Sequence, residues 1–235
     1  MRIYLIRHAD PDYPNGTITA FGHEEAKALA TRLSKEKLDR LYSSPLGRAR
    51  DTMRYTADLM PEKTPVIEDW TIEFAGTATE TDEWGRITIW DMPGEVIRGG
   101  DSSPSHDNWK DLPYVGETPM PALFAAAQAA SDTFLARHGY VREGGRYRCA
   151  APNTERIAVF CHGGFGLAWL AHLLEIPLAL MWSGFWLPPS SVTTLLMEER
   201  SDQWAVPRCI GLGDVSHLYA TGLPIQPRGI YAKNW

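Results

Sequence analysis

Two arginines and two histidines follow apolar runs of this 235-residue chain. Arg7 and His8 end the run IYLIRH, His162 follows IAVFC, and Arg48 lies shortly after LDRLYSS. Apolar runs that stop at polar residues are typical of buried strands, and in open α/β sheets ligands bind beyond the carboxyl ends of such strands. Guanidinium groups match phosphate oxygens, and helix N-termini add amide dipoles. These residue types and their spacing therefore predict a phosphate site.

One of the two imidazoles is expected to react as well as bind. A neutral imidazole nitrogen is a nucleophile, and flanking guanidinium groups lower the pKa of the ring while they neutralise the phosphoryl oxygens. His8 directly follows Arg7 and is the predicted nucleophile. Ser43 and Ser44 are expected to position the helix that carries Arg48 rather than to attack a substrate.

Alternating strand and helix patterns indicate the elements that would hold these residues. Apolar residues recur at helical spacing over 20–35, after the capping residue Thr19, and helical patterns also cover 45–60, 119–138 and 164–174. Strands interleaved with helices are typical of a parallel sheet covered on both faces. We therefore predict an α/β fold, a three-layer α/β/α sandwich with a mostly parallel central sheet. Two late strands, SVTTLLMEE and WAVPRCIGLG, are expected to be antiparallel neighbours.

The periodicity disappears after the third predicted strand, TPVIED. Residues 75–118 contain several Gly and Pro residues, and a segment this long without clear elements is more often a functional lid or insertion than a connection. We therefore predict one domain over 1–235 with a long insertion after the third strand. The insertion contains three indole rings that could form an apolar wall over the organic part of a substrate, those of Trp84, Trp90 and Trp109.

Composition excludes several classes of function. The net charge is -6 and no basic stripe is present, which argues against nucleic-acid binding. Three widely spaced cysteines match neither a disulfide framework nor a zinc site. The apolar segment 157–174 contains two His and three Gly and is interpreted as a strand, a turn and a buried helix rather than a membrane span. Because the N-terminus lacks a signal-peptide pattern, we expect a cytoplasmic protein with no membrane partner.

Four motifs occur in the order LIRHA, SSPLGRARDT, EDWTIEF and VFCHGG. Together they resemble the histidine phosphatase superfamily, also called phosphoglycerate-mutase-like, whose members carry an RHG tripeptide, a second Arg after an S-x-L segment, an acidic residue and a late His-Gly pair. The resemblance covers roughly 1–74 and 155–220 and leaves the insertion uncovered. The chain departs from the family at Ala9, where members have Gly. Ala would be strained there if the position needed left-handed backbone.

The resemblance implies a phosphomonoester hydrolase with a covalent phosphohistidine intermediate. His8 would be phosphorylated, and Glu73 would donate the proton to the leaving oxygen, with Asp69 as the weaker candidate. The residues that would hold the phosphoryl group are Arg7, Arg48 and His162. Because a carboxyl group must be protonated for this role, we expect a mildly acidic pH optimum. The cationic side chains could act without a metal or other cofactor, on a small phosphomonoester that yields inorganic phosphate.

Two alternatives stay open. A cofactor-dependent phosphoglycerate-type mutase would have a long basic loop after the first His, whereas residues 9–17 are few, include Asp10 and Asp12, and contain no Lys or Arg. A phospholigand-binding module that has lost catalysis would lack the nucleophile or the acid, and this chain retains both. Hydrolase is therefore the favoured interpretation.

Two further features bear on the substrate. Asn15, the only amide side chain of the short loop, is a further candidate for phosphate binding. The insertion has nine acidic residues against three basic ones, so a polyanionic substrate is disfavoured. We expect the insertion to select a neutral or aromatic phosphomonoester.

Overall fold

The computed structural model describes residues 1–234. Its strands are β1 (Arg2–Arg7), β2 (Pro11–Asp12), β3 (Thr17–Ile18), β4 (Arg40–Ser43), β5 (Val66–Ile67), β6 (Ala78–Thr81), β7 (Gly85–Thr88), β8 (Tyr140–Glu143), β9 (Arg146–Cys149), β10 (Arg156–Cys161), β11 (Val192–Glu199) and β12 (Trp204–Asp214). Its α-helices are α1 (Ala20–Leu33), α2 (Gly47–Asp58), α3 (Gly94–Arg98), α4 (Met120–Arg137), α5 (Gly163–Leu174), α6 (Leu178–Gly184) and α7 (Ser216–Thr221).

Eight strands form one sheet in the order β5-β4-β10-β1-β11-β12-β9-β8. The first four strands in this order are parallel to one another. Every later pairing, beginning with that of β1 and β11, is antiparallel. The α/β prediction is confirmed, and so is the antiparallel pairing of β11 with β12. The sheet is mixed rather than mostly parallel, because two hairpins, β8–β9 and β11–β12, extend one side of it. Antiparallel strands can be joined by short turns, whereas parallel strands need helical crossovers.

Alternation along β1 directs its side chains into two cores. Ile3 and Leu5 belong to the larger apolar cluster, whereas Tyr4 and Ile6 belong to a smaller one. Successive side chains of a strand point to opposite faces of the sheet, so both faces of this central strand are buried. Helices α1 and α2 contribute to the smaller cluster, and α4, α5 and α6 contribute to the larger one. The architecture is therefore three layers, with helices on both sides of the sheet.

The insertion, residues 75–118, contains more regular structure than the sequence indicated. It forms the hairpin β6–β7, the short helix α3 and two single-turn 3-10 helices, Ile89–Asp91 and Trp109–Asp111. Its elements are no longer than five residues, which is too short for a helical period to emerge. Five of its side chains are buried in the larger apolar cluster: Ile89, Met92, Ile97, Trp109 and Val115.

The apolar segment 157–174 forms most of β10 and all of α5, as predicted. Between them lies His162, which precedes the first turn of α5 in extended backbone. Within residues 1–234, no helix is both long enough and apolar enough to cross a membrane.

Candidate active site

The carboxyl ends of β1 and β10 bring the two imidazoles together. The parallel register pairs Arg7 with Cys161, so His8 and His162 leave neighbouring strands at the same level. The backbone N–H of His8 donates to the Cys161 carbonyl at 2.9 Å. The ring centroids of His8 and His162 lie 5.2 Å apart, and both rings are buried. Strand register therefore creates the convergence that the sequence predicted.

One hydrogen bond fixes the orientation of the His8 ring. Its Nδ1 lies 2.8 Å from the carbonyl oxygen of Ala9. Because a carbonyl only accepts hydrogen bonds, Nδ1 carries the proton and Nε2 bears the lone pair. Ala9 is itself buried, donates its N–H to Thr52 Oγ1 at 2.9 Å and does not adopt a positive φ. Ala9 is therefore free of left-handed strain.

Both imidazoles are neutral at neutral pH. The pKa of His8 lies well below its usual value of 6.5, first because burial disfavours the charged ring and then because Arg7 and Arg48 repel a proton. Burial likewise lowers the pKa of His162 well below its usual value, with smaller contributions from His8 and the two arginines. Guanidinium charge was expected to lower these pKa values, whereas desolvation is the larger cause.

Two guanidinium groups flank the imidazoles. Arg7 Nη1 donates to the backbone carbonyls of Leu187 at 2.6 Å and Arg228 at 3.0 Å, which fixes the plane of its guanidinium. Arg48 is the second residue of α2, and its Cζ lies 5.5 Å from the centroid of the Tyr13 ring. Burial lowers the pKa of Arg48, although an arginine stays charged at any pH relevant to the protein.

We call Arg7, His8, Arg48 and His162 the phosphate cradle. Within residues 1–234, three of its buried polar atoms have no hydrogen-bond partner: Arg7 Nε, Arg48 Nε and His162 Nδ1. Buried polar atoms are nearly always satisfied, so such a group calls for an explanation. A tetrahedral oxyanion such as phosphate would supply the missing acceptors. By contrast, no group of three or more His, Cys, Asp or Glu side chains in this part of the chain could hold a metal ion.

Glu73 is held at the N-terminus of α5, beside the cradle. Its carboxylate accepts the backbone N–H groups of Gly164 at 3.0 Å and Phe165 at 2.7 Å. Burial raises the pKa of Glu73, while these two bonds and the charges of Arg48 and Arg7 oppose that rise. Amide groups at a helix N-terminus favour a carboxylate, and burial favours the neutral acid. Two opposing influences therefore act on the protonation of one carboxyl group.

The two weaker candidates lie elsewhere. Asp69 is exposed on a single-turn 3-10 helix. Asn15 is also exposed, at the turn of the β2–β3 hairpin, and its side-chain amide donates to Asp12 Oδ2 at 2.8 Å. The structure therefore brings Glu73, and not Asp69, to the cradle, and it holds Asn15 against an acidic neighbour.

Several contacts that support the cradle were not predicted from the sequence. Ser44 Oγ lies 2.7 Å from His162 Nε2, so the serine orients this ring as well as its own helix. The indole of Trp90 packs against Gly164, where a Cβ atom would lie 2.5 Å from the ring. The carbonyl groups of Leu187 and Arg228 were also missed, because backbone acceptors leave no residue-type signal. In the sequence, only the glycines at the start of α5 indicated that another group packs closely against the backbone there.

Comparison with known proteins identifies related sequences for the N-terminal third. Residues 3–82 match the family model of the histidine phosphatase superfamily (branch 1). A putative phosphoserine phosphatase 2 from Hydrogenobacter thermophilus is 33% identical over 76 residues. This match covers 28% of the present chain and 37% of that relative, so the chain spans well under two thirds of the relative's length.

Solved structures share the fold over nearly the whole chain. A phosphoserine phosphatase mutant from Entamoeba histolytica, in complex with phosphoserine, superposes with a TM-score of 0.61 at 18% identity and covers 92% of this chain and 98% of that one. A mycobacterial glucosyl-3-phosphoglycerate phosphatase gives a TM-score of 0.60 at 19% identity, with coverage of 90% and 98%. At these identities the likeness establishes the fold.

Proposed function

We propose that the chain is a histidine phosphatase, a phosphomonoester hydrolase that forms a covalent phosphohistidine at His8, and the family match over residues 3–82 and the shared fold support this proposal. The observation that carries the proposal is the orientation of this ring. Its Nδ1 proton is bound to the Ala9 carbonyl, so Nε2 is the nucleophilic atom. The lowered pKa of His8 supports the same role, because a protonated ring has no lone pair with which to attack phosphorus.

In the first step, the lone pair on His8 Nε2 forms a bond to phosphorus while the bond between phosphorus and the ester oxygen breaks. Protonated Glu73 gives its proton to the departing oxygen, so that an alcohol leaves. Phosphoryl transfer depends mainly on positioning and on stabilisation of charge. The groups that would bind the phosphoryl oxygens are Arg7, Arg48 and His162.

In the second step, water attacks the phosphorus of the phosphohistidine and passes a proton to the Glu73 carboxylate. The bond between phosphorus and nitrogen breaks, its electron pair returns to Nε2 of His8, and inorganic phosphate leaves. Glu73 must therefore act first as an acid and then as a base. Its environment suits both states, since burial favours the acid and the N–H groups of Gly164 and Phe165 favour the carboxylate.

We propose that this chemistry needs no metal ion or other cofactor. Two guanidinium groups and a neutral imidazole would offset the charge on the phosphoryl oxygens, which is the contribution that a metal makes in other phosphatases. Excess EDTA is therefore expected to leave the rate of phosphate release unchanged. A loss of activity on chelation that added magnesium or zinc restores would contradict this part of the proposal.

The proposed substrates are small phosphomonoesters. Proteins that share this fold include phosphatases for phosphoserine and for glucosyl-3-phosphoglycerate, which supports a small organic leaving group. We further propose that residues 75–118 act as a lid within a single domain and favour neutral or aromatic esters. Asn15 remains a proposed phosphate contact and would have to exchange Asp12 for the substrate. A cytoplasmic location stays a prediction from the sequence.

The test is the release of inorganic phosphate from a panel of about a hundred phosphomonoesters, ranked by kcat/KM. His8→Ala should lower kcat by at least about 10³-fold on every active substrate. His106→Ala is the matched control, since His106 is exposed in the insertion and its ring Nε2 lies 3.2 Å from the Glu175 carbonyl oxygen. Activity of the His8 variant within about tenfold of the wild type would remove the nucleophile assignment.

A further inference from the structure

A tight turn near the end of the described chain reaches the phosphate cradle. The backbone N–H of Ile230 donates to the carbonyl of Pro227 at 3.1 Å, which closes a four-residue turn. Gly229, the third residue of this turn, has a φ of +87°, as a type II turn requires at that position. We call Pro227–Ile230 the C-terminal turn.

The turn presents one backbone carbonyl to the site. The carbonyl of Arg228 accepts a hydrogen bond from Arg7 Nη1 at 3.0 Å and another from Trp186 Nε1 at 3.0 Å. A Cβ atom at Gly229 would lie 3.6 Å from Asp91 Oδ1, which belongs to the insertion. The turn therefore lies where the insertion, the loop after α6 and the cradle meet.

An ion pair holds the turn in place. Arg228 Nε lies 2.6 Å from Asp10 Oδ1, and the side chain of Asp10 is only 6% exposed. Asp10 follows His8 by two residues and is fixed by further contacts. Its backbone N–H donates to Glu25 Oε2 at 2.7 Å, and its Oδ2 accepts from Thr19 Oγ1 at 2.8 Å. The Arg228 side chain is thus tied to a rigid, buried anchor beside the proposed nucleophile.

We propose that the C-terminal turn is a positioning element of the phosphate site, an inference that rests on the proposed function. The carbonyls of Leu187 and Arg228 together hold Nη1 of Arg7. This restraint leaves the opposite edge of the guanidinium, Nε and Nη2, for two phosphoryl oxygens, and Nε is buried without a protein partner in residues 1–234. Arg228 is therefore a positioning residue that acts through Arg7 and not on the substrate itself.

The first test removes the ion pair. Arg228→Ala should weaken binding of inorganic phosphate about tenfold, measured as the shift of thermal unfolding with phosphate concentration, and lower kcat/KM by about 10–100-fold. Arg228 also donates from Nη2 to Asp10 Oδ2 at 3.4 Å, so Arg228→Lys should restore only part of the loss, because one ammonium group cannot reproduce this two-point contact. The control is Arg208→Ala, which breaks an exposed ion pair with Glu198 of 3.0 Å and should change neither quantity.

The second test distorts the turn while keeping every charge. Gly229→Ala places a Cβ in left-handed backbone without a steric clash, since its nearest neighbours would be 3.6 Å away. The peptide that carries the Arg228 carbonyl should reorient, and phosphate binding should weaken about fivefold to tenfold. Gly144→Ala is the matched control, because Gly144 also has a positive φ, of +64°, and lies in open space in the β8–β9 hairpin.

The outcomes separate the two proposals. Phosphate affinity and kcat/KM within about twofold of wild type in both Arg228→Ala and Gly229→Ala would overturn the inference, even if the wild type is an active phosphatase. A wild type that hydrolyses no phosphomonoester would overturn the proposed function, yet the phosphate-binding measurement would still judge the role of the turn. If Arg228→Ala fails to fold, Gly229→Ala decides the matter alone.

Discussion

The phosphate cradle and the walls around it are built in different ways. The cradle residues leave adjacent parallel strands or begin a helix next to them, so the register between β1 and β10 sets their spacing. The walls, formed by the insertion (75–118) and the C-terminal turn, consist of short elements and turns. Contacts between segments far apart in the chain hold those walls in place, such as the 3.0 Å bond from Arg7 to the Arg228 carbonyl.

This difference suggests a division of labour. Changes in the cradle and at Glu73 should lower the rate of the chemical step on every substrate. Changes in the insertion should alter which substrate is preferred, because we propose that it acts as a lid over the organic group. The predictions below test this division, beginning with the largest expected effect.

Glu73→Gln should lower kcat by about 10²–10⁴-fold on alkyl phosphates and less on aryl phosphates, whose leaving groups need little protonation. The variant should also lose the alkaline fall of the pH–rate profile, because that fall reports deprotonation of Glu73, whose pKa is raised by burial. The matched control is Asp69→Asn, which changes an exposed carboxylate four residues earlier. A larger loss in the Asp69 variant than in the Glu73 variant would reverse the assignment of the acid.

Glu25→Gln should stabilise the protein at neutral and alkaline pH. Glu25 is completely buried, and burial raises its pKa from 4.5 to about 7 despite a hydrogen bond from Asp10. Below about pH 4.5 the group is neutral in both folded and unfolded chains, whereas above about pH 7 its ionisation costs the folded state up to about 3 kcal/mol. The wild type therefore loses stability relative to Glu25→Gln as the pH rises through the folded-state pKa of Glu25.

The measurement is the free energy of unfolding of the wild type and Glu25→Gln between about pH 5 and pH 8. Burial lowers the pKa values of His8 and His162, so as the pH falls below about 6.5 these rings bind protons more readily in the unfolded chain. Their pH dependence is opposite to that of Glu25, because they destabilise the fold at low pH. Their contributions cancel in the difference between the two proteins. Glu24→Gln, at an exposed neighbour on α1, should show no such difference. A pH-independent gap between wild type and Glu25→Gln would contradict the assignment.

Trp90→Ala should change the ratio of kcat/KM between aryl and alkyl phosphates by about tenfold, with a smaller change in kcat. The Trp90 indole packs against Gly164 at the start of α5, and its ring centroid lies 6.4 Å from that of Phe74. Trp84→Ala, in the β6–β7 turn of the same insertion, is the control and should leave the ratio unchanged. If both variants preserve the substrate ranking, the walls do not determine specificity.

Ala9→Gly should have the smallest effect. Because Ala9 is buried and has no positive φ, glycine there gains nothing from its conformational freedom. We expect a loss of about 0.5–1 kcal/mol in the free energy of unfolding and a change in kcat of less than about threefold. A large gain in activity would contradict the claim that the register between β1 and β10 fixes the position of His8.

The same division explains what the sequence could predict. Arg7, His8 and His162 follow long buried strands, and such strands leave a clear apolar pattern that also specifies their neighbours. Arg48 was placed with them from its position after a strand pattern, whereas the role of Glu73 was expected only from the motif resemblance. The antiparallel half of the sheet was predicted only in part, because the pairing of hairpins with a distant edge depends on tertiary contacts.

The contact between the C-terminal turn and the cradle was beyond prediction for a different reason. The Arg228 carbonyl can bind Arg7 only after more than two hundred residues of intervening chain have folded, and a backbone carbonyl has no residue-type signature. Asn15 shows the converse situation, in which residue type gave a signal. Its residue type suits phosphate, yet the hairpin turn directs its amide to Asp12 at 2.8 Å. The residue type indicated a phosphate contact, whereas in the structure the side-chain amide of Asn15 forms a hydrogen bond within a turn.

The central claim is that His8 carries the phosphoryl group during turnover. The most direct measurement is rapid quenching of the enzyme with a ³²P-labelled phosphomonoester, followed by peptide mapping of the labelled protein. The account predicts a phosphate that is labile in acid and stable in base, bound to the peptide that contains His8 and absent from His8→Ala. Label on another residue, or turnover by an enzyme that never becomes labelled, would contradict it.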